Sequence, residues 1–118
     1  MGKATCLADH FGCTARPLDS LAEASRPVDI IVNATPVSSK DDSSDLTEIV
    51  RSLKCKDCQL VYDLNYERRN NIWQSLAEEN HIRFQDGLPA LAYQARRTFL
   101  LWTGRDVRQE EFLNALSA

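Results

Sequence analysis

Two apolar, β-branched runs held apart by a helical repeat constrain this chain more than any other feature. Asp29-Ile30-Ile31-Val32-Asn33-Ala34 and Gln59-Leu60-Val61-Tyr62-Asp63-Leu64 have continuous apolar centres with no polar alternation. That is the pattern of strands buried on both faces of a sheet. Between them Leu46, Ile49, Val50 and Leu53 recur at i, i+3, i+4 and i+7, one face of a helix. Strands joined through a helix cannot form a hairpin, so the connection is a crossover and the sheet is parallel. The alternation continues downstream. Asn70 or Asn71 caps a helix burying Ile72, Trp73, Leu76 and Ala77, and Ile82-Arg83-Phe84 reads as a short strand. A helix then runs from Gly87 to Gly104, with Leu88, Leu91, Ala92, Ala95, Phe99 and Trp102 as its core stripe. A last helix carries Val107, Phe112, Leu113 and Leu116.

The first quarter of the chain is less regular. Lys3 to Phe11 reads as a helix stopped by Gly12. A weak extended stretch, Cys13-Thr14-Ala15-Arg16, ends at Pro17. Asp19 or Ser20 then caps a short helix through Leu21 and Ala24. Ser38 to Ser44 is polar and reads as a loop.

Composition removes whole classes of function. In 118 residues, 14 basic and 17 acidic side chains give a net charge of −3 with no basic stripe. That argues against a nucleic-acid surface. No apolar run approaches the ~20 residues of a membrane span. The start, Met1-Gly2-Lys3-Ala4-Thr5-Cys6, lacks the apolar centre of a signal peptide. The expectation is a cytoplasmic protein, one domain over residues 1–118, with no membrane partner. Cys55-Lys56-Asp57-Cys58 has the spacing of zinc knuckles and thiol oxidoreductases. Cys6, Cys13, His10 and His81 do not complete a second knuckle, and the pair precedes a strand, not a helix N-terminus. Reduced thiols in a turn, with no metal, are therefore expected.

In parallel sheets ligands bind beyond the carboxyl ends of the strands. Here those ends are Asn33-Ala34-Thr35-Pro36, Asp63-Leu64-Asn65-Tyr66 and Asp86-Gly87. With Tyr93-Gln94-Ala95 and Phe99-Leu100-Leu101-Trp102-Thr103-Gly104, these blocks occur in the order and spacing of the shikimate dehydrogenases. The chain resembles the later part of their NADP-binding domain, from Lys3-Ala4 through the last helix. The resemblance implies a partial Rossmann-like α/β fold, a parallel sheet flanked by helices with the first two strands of the dinucleotide-binding fold missing. It also implies NADP as cofactor, and shikimate or 3-dehydroshikimate as the substrate of the intact enzyme.

By that resemblance Asn33, Ala34 and Thr35 lie along the cofactor, and the Leu64 backbone meets its nicotinamide end. Gly87 touches NADP, while Tyr66 and Gln94 contact shikimate. The residue chemistry agrees. A phenol can donate to a hydroxyl or carboxylate, and a glutamine amide both donates and accepts. Gly87 and Gln94 are seven residues apart, so they share a helix face about 10.5 Å apart along the axis. Glycine at a helix start admits close approach of a cofactor. Asp63, read alone, ties down a loop.

Other family features are missing from these residues. No G-x-G-x-x-G occurs among the four glycines, and the family's lysine–aspartate acid–base pair has no counterpart. No catalytic residue is therefore assigned. Ser38 stands where the family usually has glycine, Ala90 where it has methionine, and Glu67 to Ile72 replace its proline and threonine. The alternatives are a non-catalytic Rossmann-like binding or assembly module, a quinate/shikimate relative, and a thiol or metal site at Cys55 and Cys58. Topology adds an expectation of assembly. With Cys13–Arg16 as an outer strand, two positions away from Asp29–Ala34, the latter becomes an apolar edge. Self-association through Asp29–Ala34, or coverage by the N-terminal segment, should follow.

Overall fold

The structure, a computed structural model, describes residues 2–21 and 27–118. Three short strands form its centre: β1 (Ile30–Asn33), β2 (Leu60–Asp63) and β3 (Arg83–Gln85). All pair parallel in the order β1-β2-β3, with Ile31 beside Val61 and Asn33 beside Asp63. The crossovers are α2 (Ser44–Ser52) and α3 (Ile72–Glu79). An N-terminal helix α1 (Gly2–Phe11) precedes them, and α4 (Leu88–Thr103) and α5 (Gln109–Leu116) follow. The parallel α/β arrangement expected from the sequence is the one observed.

Local chemistry accounts for the helix ends. Ser43 caps α2 by accepting from the Leu46 N–H, and Asn71 caps α3 by accepting from Trp73 and Gln74 N–H. Each satisfies a donor that a helix start would leave orphaned. Gly12, at φ +66°, ends α1 in the left-handed region.

The core lies on one face of the sheet. Leu46 and Val50 of α2, with Ile72, Trp73, Leu76 and Ala77 of α3, close over Val61, Cys55 and Cys58. Ile31, Ile82 and Phe84 pack around that cluster. Period-two geometry puts Ile31, Val61 and Phe84 on this covered side, and Ile30 and Val32 on the other. The latter two are 54% and 52% exposed. The expectation that Asp29–Ala34 is buried on both faces is therefore wrong. Continuous β-branching reports apolar character on both faces, but burial needs an element on each, and among the described residues only one face is covered.

Four further expectations need correcting. Cys13–Arg16 forms no strand; four residues without a neighbouring strand have no ladder partners to hold them extended. The helix expected from Asp19 or Ser20 is a single 3₁₀ turn, Leu18–Leu21, and Ala24 lies outside the described residues. The stripe expected to bury α4 does not do so. Only Ala92 is buried, Phe99 is partly open and Trp102 is 84% exposed. Helix α4 packs on α5 instead, through an edge-to-face contact of Phe99 with Phe112, and Arg96 of α4 pairs bidentately with Asp106 in the connection to α5. Val107 precedes α5 rather than lying in it.

Candidate functional site

Strands β1 and β2 end in the same kind of turn. Asn33 Oδ1 accepts from the Thr35 N–H (3.0 Å), and Asp63 Oδ1 accepts from the Asn65 N–H (3.1 Å). These are Asx turns, in which a side-chain oxygen mimics a backbone acceptor two residues back. Because Asn33 and Asp63 are register partners, the turns lie side by side and their side chains meet. Asn33 Nδ2 donates to Asp63 Oδ1 at 2.9 Å. Asn65 Nδ2 reaches across to the Thr35 carbonyl and Ser38 Oγ, both at 2.8 Å. Asn71 Nδ2 donates to Asp63 Oδ2 at 2.7 Å. One carboxylate thus joins the β1 turn, the β2 turn and the start of α3.

Asp63 and Ser38 have no exposed surface and Asn33 has 2%. The ion pairs among the described residues, Arg96–Asp106 and Arg108–Glu111, do not include Asp63. Burial pushes its carboxyl up, but bonds from Ser38, Asn71, Asn33 and the Asn65 N–H outweigh burial and hold it below the ordinary range. Several aligned dipoles do the work of a counter-ion. Around the rim, Asp42 accepts from the Ser38 and Ser39 N–H groups, which with nearby Arg68 lower its carboxyl too.

Gly87 completes the cluster. Its N–H donates to the Asn65 carbonyl at 2.9 Å. A Cβ built on it would collide with the Leu64 carbonyl oxygen and lie 2.6 Å from the Leu64 carbonyl carbon. Glycine here lets the start of α4 press onto the β2 turn.

The structure therefore gathers Asn33, Ala34, Thr35, Leu64 and Gly87 at one end of the sheet. Their side chains are unequal. The Asn33 amide is saturated by Asp63, Val37 and Thr35, so it faces inward. The Thr35 hydroxyl donates to Asn33 Oδ1 at 2.7 Å and accepts from the Val37 N–H. Its only proton is committed. Ala34 and Thr35 are exposed, and Leu64 is 47% exposed. Tyr66, 42% exposed, lines a shallow depression with Leu64, Asn65, Glu67 and Arg68. Gln94 is exposed on α4, in an open apolar groove with Leu91, Ala95, Thr98, Phe99, Trp102 and Phe112. That groove and the Tyr66 depression have separate linings.

Donor chemistry tests what this face could hold. The N–H groups of Thr35, Leu64, Asn65, Gly87 and Leu88 are all bonded within the protein. A phosphate needs free donors, and these are not free. What remains open there is Ala34, Thr35 and Leu64, all exposed. The thiols lie elsewhere. Cys55 and Cys58 are buried in the α/β core, with Sγ donors directed at the Leu53 and Leu60 carbonyls. Burial, with Cys58 beside it, raises the Cys55 thiol, which disfavours a reactive thiolate. Among the described residues no three His, Cys, Asp or Glu side chains are gathered to hold a metal.

Sequence reasoning did not single out Asn65 and Ser38 as site-forming residues. The available signal was an Asn or Asp at the end of each strand with a polar residue two positions on.

Parallel strands whose carboxyl ends converge on one polar cluster define this as a Rossmann-like α/β unit. Known proteins narrow the class. No family model matches the chain. It is 35% identical to a shikimate dehydrogenase (NADP(+)) of Thermus thermophilus, over 86% of this chain and 36% of that protein. The enzyme of the same name from Methanocaldococcus jannaschii is 33% identical, over 75% of this chain and 31% of its own length. Among solved structures, a Thermus thermophilus shikimate 5-dehydrogenase in complex with NADP(H) and shikimate superposes with a TM-score of 0.71. It is 31% identical, and the match covers 97% of this chain and 41% of that one. The Aquifex aeolicus enzyme gives 0.72 at 27% identity, covering 98% of this chain and 41% of its own. Sequence and fold place this chain among the relatives of the NADP-dependent shikimate dehydrogenases, spanning about a third of the length of those curated relatives.

Proposed function

We propose that this chain forms the nicotinamide-side wall of an NADP-dependent shikimate dehydrogenase, a cytoplasmic enzyme reducing 3-dehydroshikimate to shikimate. The observation that carries this reading is the convergence of Ala34, Thr35, Leu64 and Gly87 on one polar cluster with its N–H donors internally bonded. Such a wall takes a ring, not a phosphate. Residues 1–118 act as one unit in which Asn33 shapes the turn and Ala34, Thr35, Leu64 and Gly87 border the cofactor. Tyr66 and Gln94 offer a phenol and an amide to the hydroxyl and carboxylate groups of the substrate. When bound, NADPH supplies the hydride; the residues here bind and orient. No acid–base pair is assigned in this sequence, so the chain alone does not turn over.

Two measurements test this. Titration of the purified chain with NADPH should give weak binding, and shikimate with NADP+ should give no absorbance increase at the nicotinamide band. Steady reduction of NADP+ by the chain alone would overturn the assignment of no catalytic residue. In a full-length enzyme containing these residues, Gln94→Ala should raise KM by the equivalent of about 0.5–1.5 kcal/mol, one hydrogen bond. Unchanged KM and kcat would remove Gln94 from the site.

A specific observation also favours assembly. β1 is an edge strand, and its residues Ile30 and Val32 are more than half exposed. An apolar edge without proline or lysine leaves backbone N–H and C=O groups open to pairing with another chain. Two copies are proposed to associate here, and light scattering over a dilution series should show a mass that falls with concentration. A strict monomer at all concentrations, with freely exchanging amides at Ile30 to Val32, would contradict it.

A further inference from the structure

We infer that Asp63 is the positioning residue of this site: its buried carboxylate orients the amides of Asn33, Asn65 and Asn71, and through them sets the Thr35 and Leu64 turns in the arrangement that meets the cofactor. The inference rests on the reading that these turns face NADP(H).

An ionised carboxylate only accepts hydrogen bonds. Each asparagine around it must therefore present its NH₂ side inward, which fixes where its carbonyl points. The Asn33 carbonyl is turned to Thr35, taking both the N–H (3.0 Å) and the hydroxyl proton (2.7 Å). The Asn71 carbonyl is turned to the start of α3, taking the Trp73 and Gln74 N–H groups. The Asn65 amide is left bridging Asp63, Ser38 and the Thr35 carbonyl. All three amides thus turn their NH₂ groups toward one carboxylate.

A neutral amide of the same shape breaks this logic. With Asp63→Asn, one edge of the new side chain is itself an NH₂, and some neighbour meets it donor to donor. If Asn33 flips, Thr35 loses both bonds. If Asn71 flips, α3 loses its cap. Leu64 shares the consequence by another route: it lies inside the turn closed by the Asn65 N–H on Asp63 Oδ1, and its own carbonyl is pressed on Gly87.

The experiment follows amide NMR signals of the 118-residue protein during titration with NADP+, which reports weak binding. In the wild type, Thr35, Leu64 and Gly87 should shift together. Asp63→Asn should keep the far-UV spectrum, move the free Thr35 amide signal and weaken NADP+ binding about tenfold. Asp63→Asn with an unmoved Thr35 signal and unchanged affinity would overturn the inference. If Asp63→Asn does not fold, Asn65→Ala decides. It removes only the bridging amide of a half-buried residue, and should uncouple the Thr35 response from that of Leu64; coupled responses would count against the inference. A wild type with no shifts at these residues overturns the cofactor reading instead. The free Thr35 signal in the variants then still decides whether Asp63 orients the turn.

Discussion

The strand ends and the α4–α5 arm treat burial in opposite ways. At the strand ends a carboxylate with no exposed surface is surrounded by amides, and the described residues contain no buried side-chain polar atom without a partner. On the arm, large apolar side chains stand in water: Trp102 is 84%, Leu101 69% and Tyr93 58% exposed. The polar region is complete by itself because hydrogen bonds are directional and short, and β1, β2 and α3 supply every partner. The apolar arm is incomplete because a stripe stabilises a fold only when another surface covers it. Internal hydrogen bonding is concentrated in the first region and exposed apolar surface in the second.

The comparison breaks most visibly in the core that supports the strand ends. Leu76→Ala should lower unfolding stability by about 2–5 kcal/mol, because a 3% exposed side chain leaves a cavity. Denaturant melts check it, and a loss under about 1 kcal/mol would mean the α3 core is looser than described. Gly87→Ala should cost about 1–3 kcal/mol, since the new methyl meets a backbone carbonyl that cannot rotate away. A neutral result would show that α4 shifts off the β2 turn without penalty.

Asn71→Ala should cost about 0.5–2 kcal/mol from the lost cap, and more as Asp63 Oδ2 loses its partner. Its far-UV signal should show a shorter α3. The pH dependence has a defined sign. The folded Asp63 carboxyl lies below its ordinary value of 3.8. Its contribution is thus fully present above that ordinary value, and is lost as pH falls through the folded one. Thermal melts from neutral pH down into the acid range should show that loss for wild type and a shallower one for Asp63→Asn. At the small end, Trp102→Ala should change stability by no more than about 0.5 kcal/mol. A larger loss would mean that Trp102 is covered in solution, and the contrast between the regions would narrow.

Particular residues show how far the sequence could be read. The β-branched centres of β1 and β2, the i, i+3, i+4, i+7 spacing of α2 and the Asn71 cap were all legible, because period and capping are local properties. Positions beyond the strand ends were legible as the place for a site, because parallel topology puts ligands there. The division of labour among them was not. Thr35 reads as a ligand-facing hydroxyl until Asn33 is seen holding its proton, and Gly87 reads as room for a cofactor until the Leu64 carbonyl is found filling that room. The first is a two-residue turn that hydrophobic period does not report, and the second a contact between the β2 turn and the start of α4.

Local pattern by itself determined the elements, their parallel pairing and the end of the sheet where chemistry gathers. Only the tertiary structure decided which apolar faces are covered and which polar groups remain free. Ile30 and Ile31 are chemically identical neighbours, and one lies open while the other packs against the core. Composition cannot separate them, because burial is a property of what stands opposite a side chain. The same holds for Asp63: its charge is written in the sequence, but the three amides that make it stable inside the protein converge only when β1, β2 and α3 are packed together.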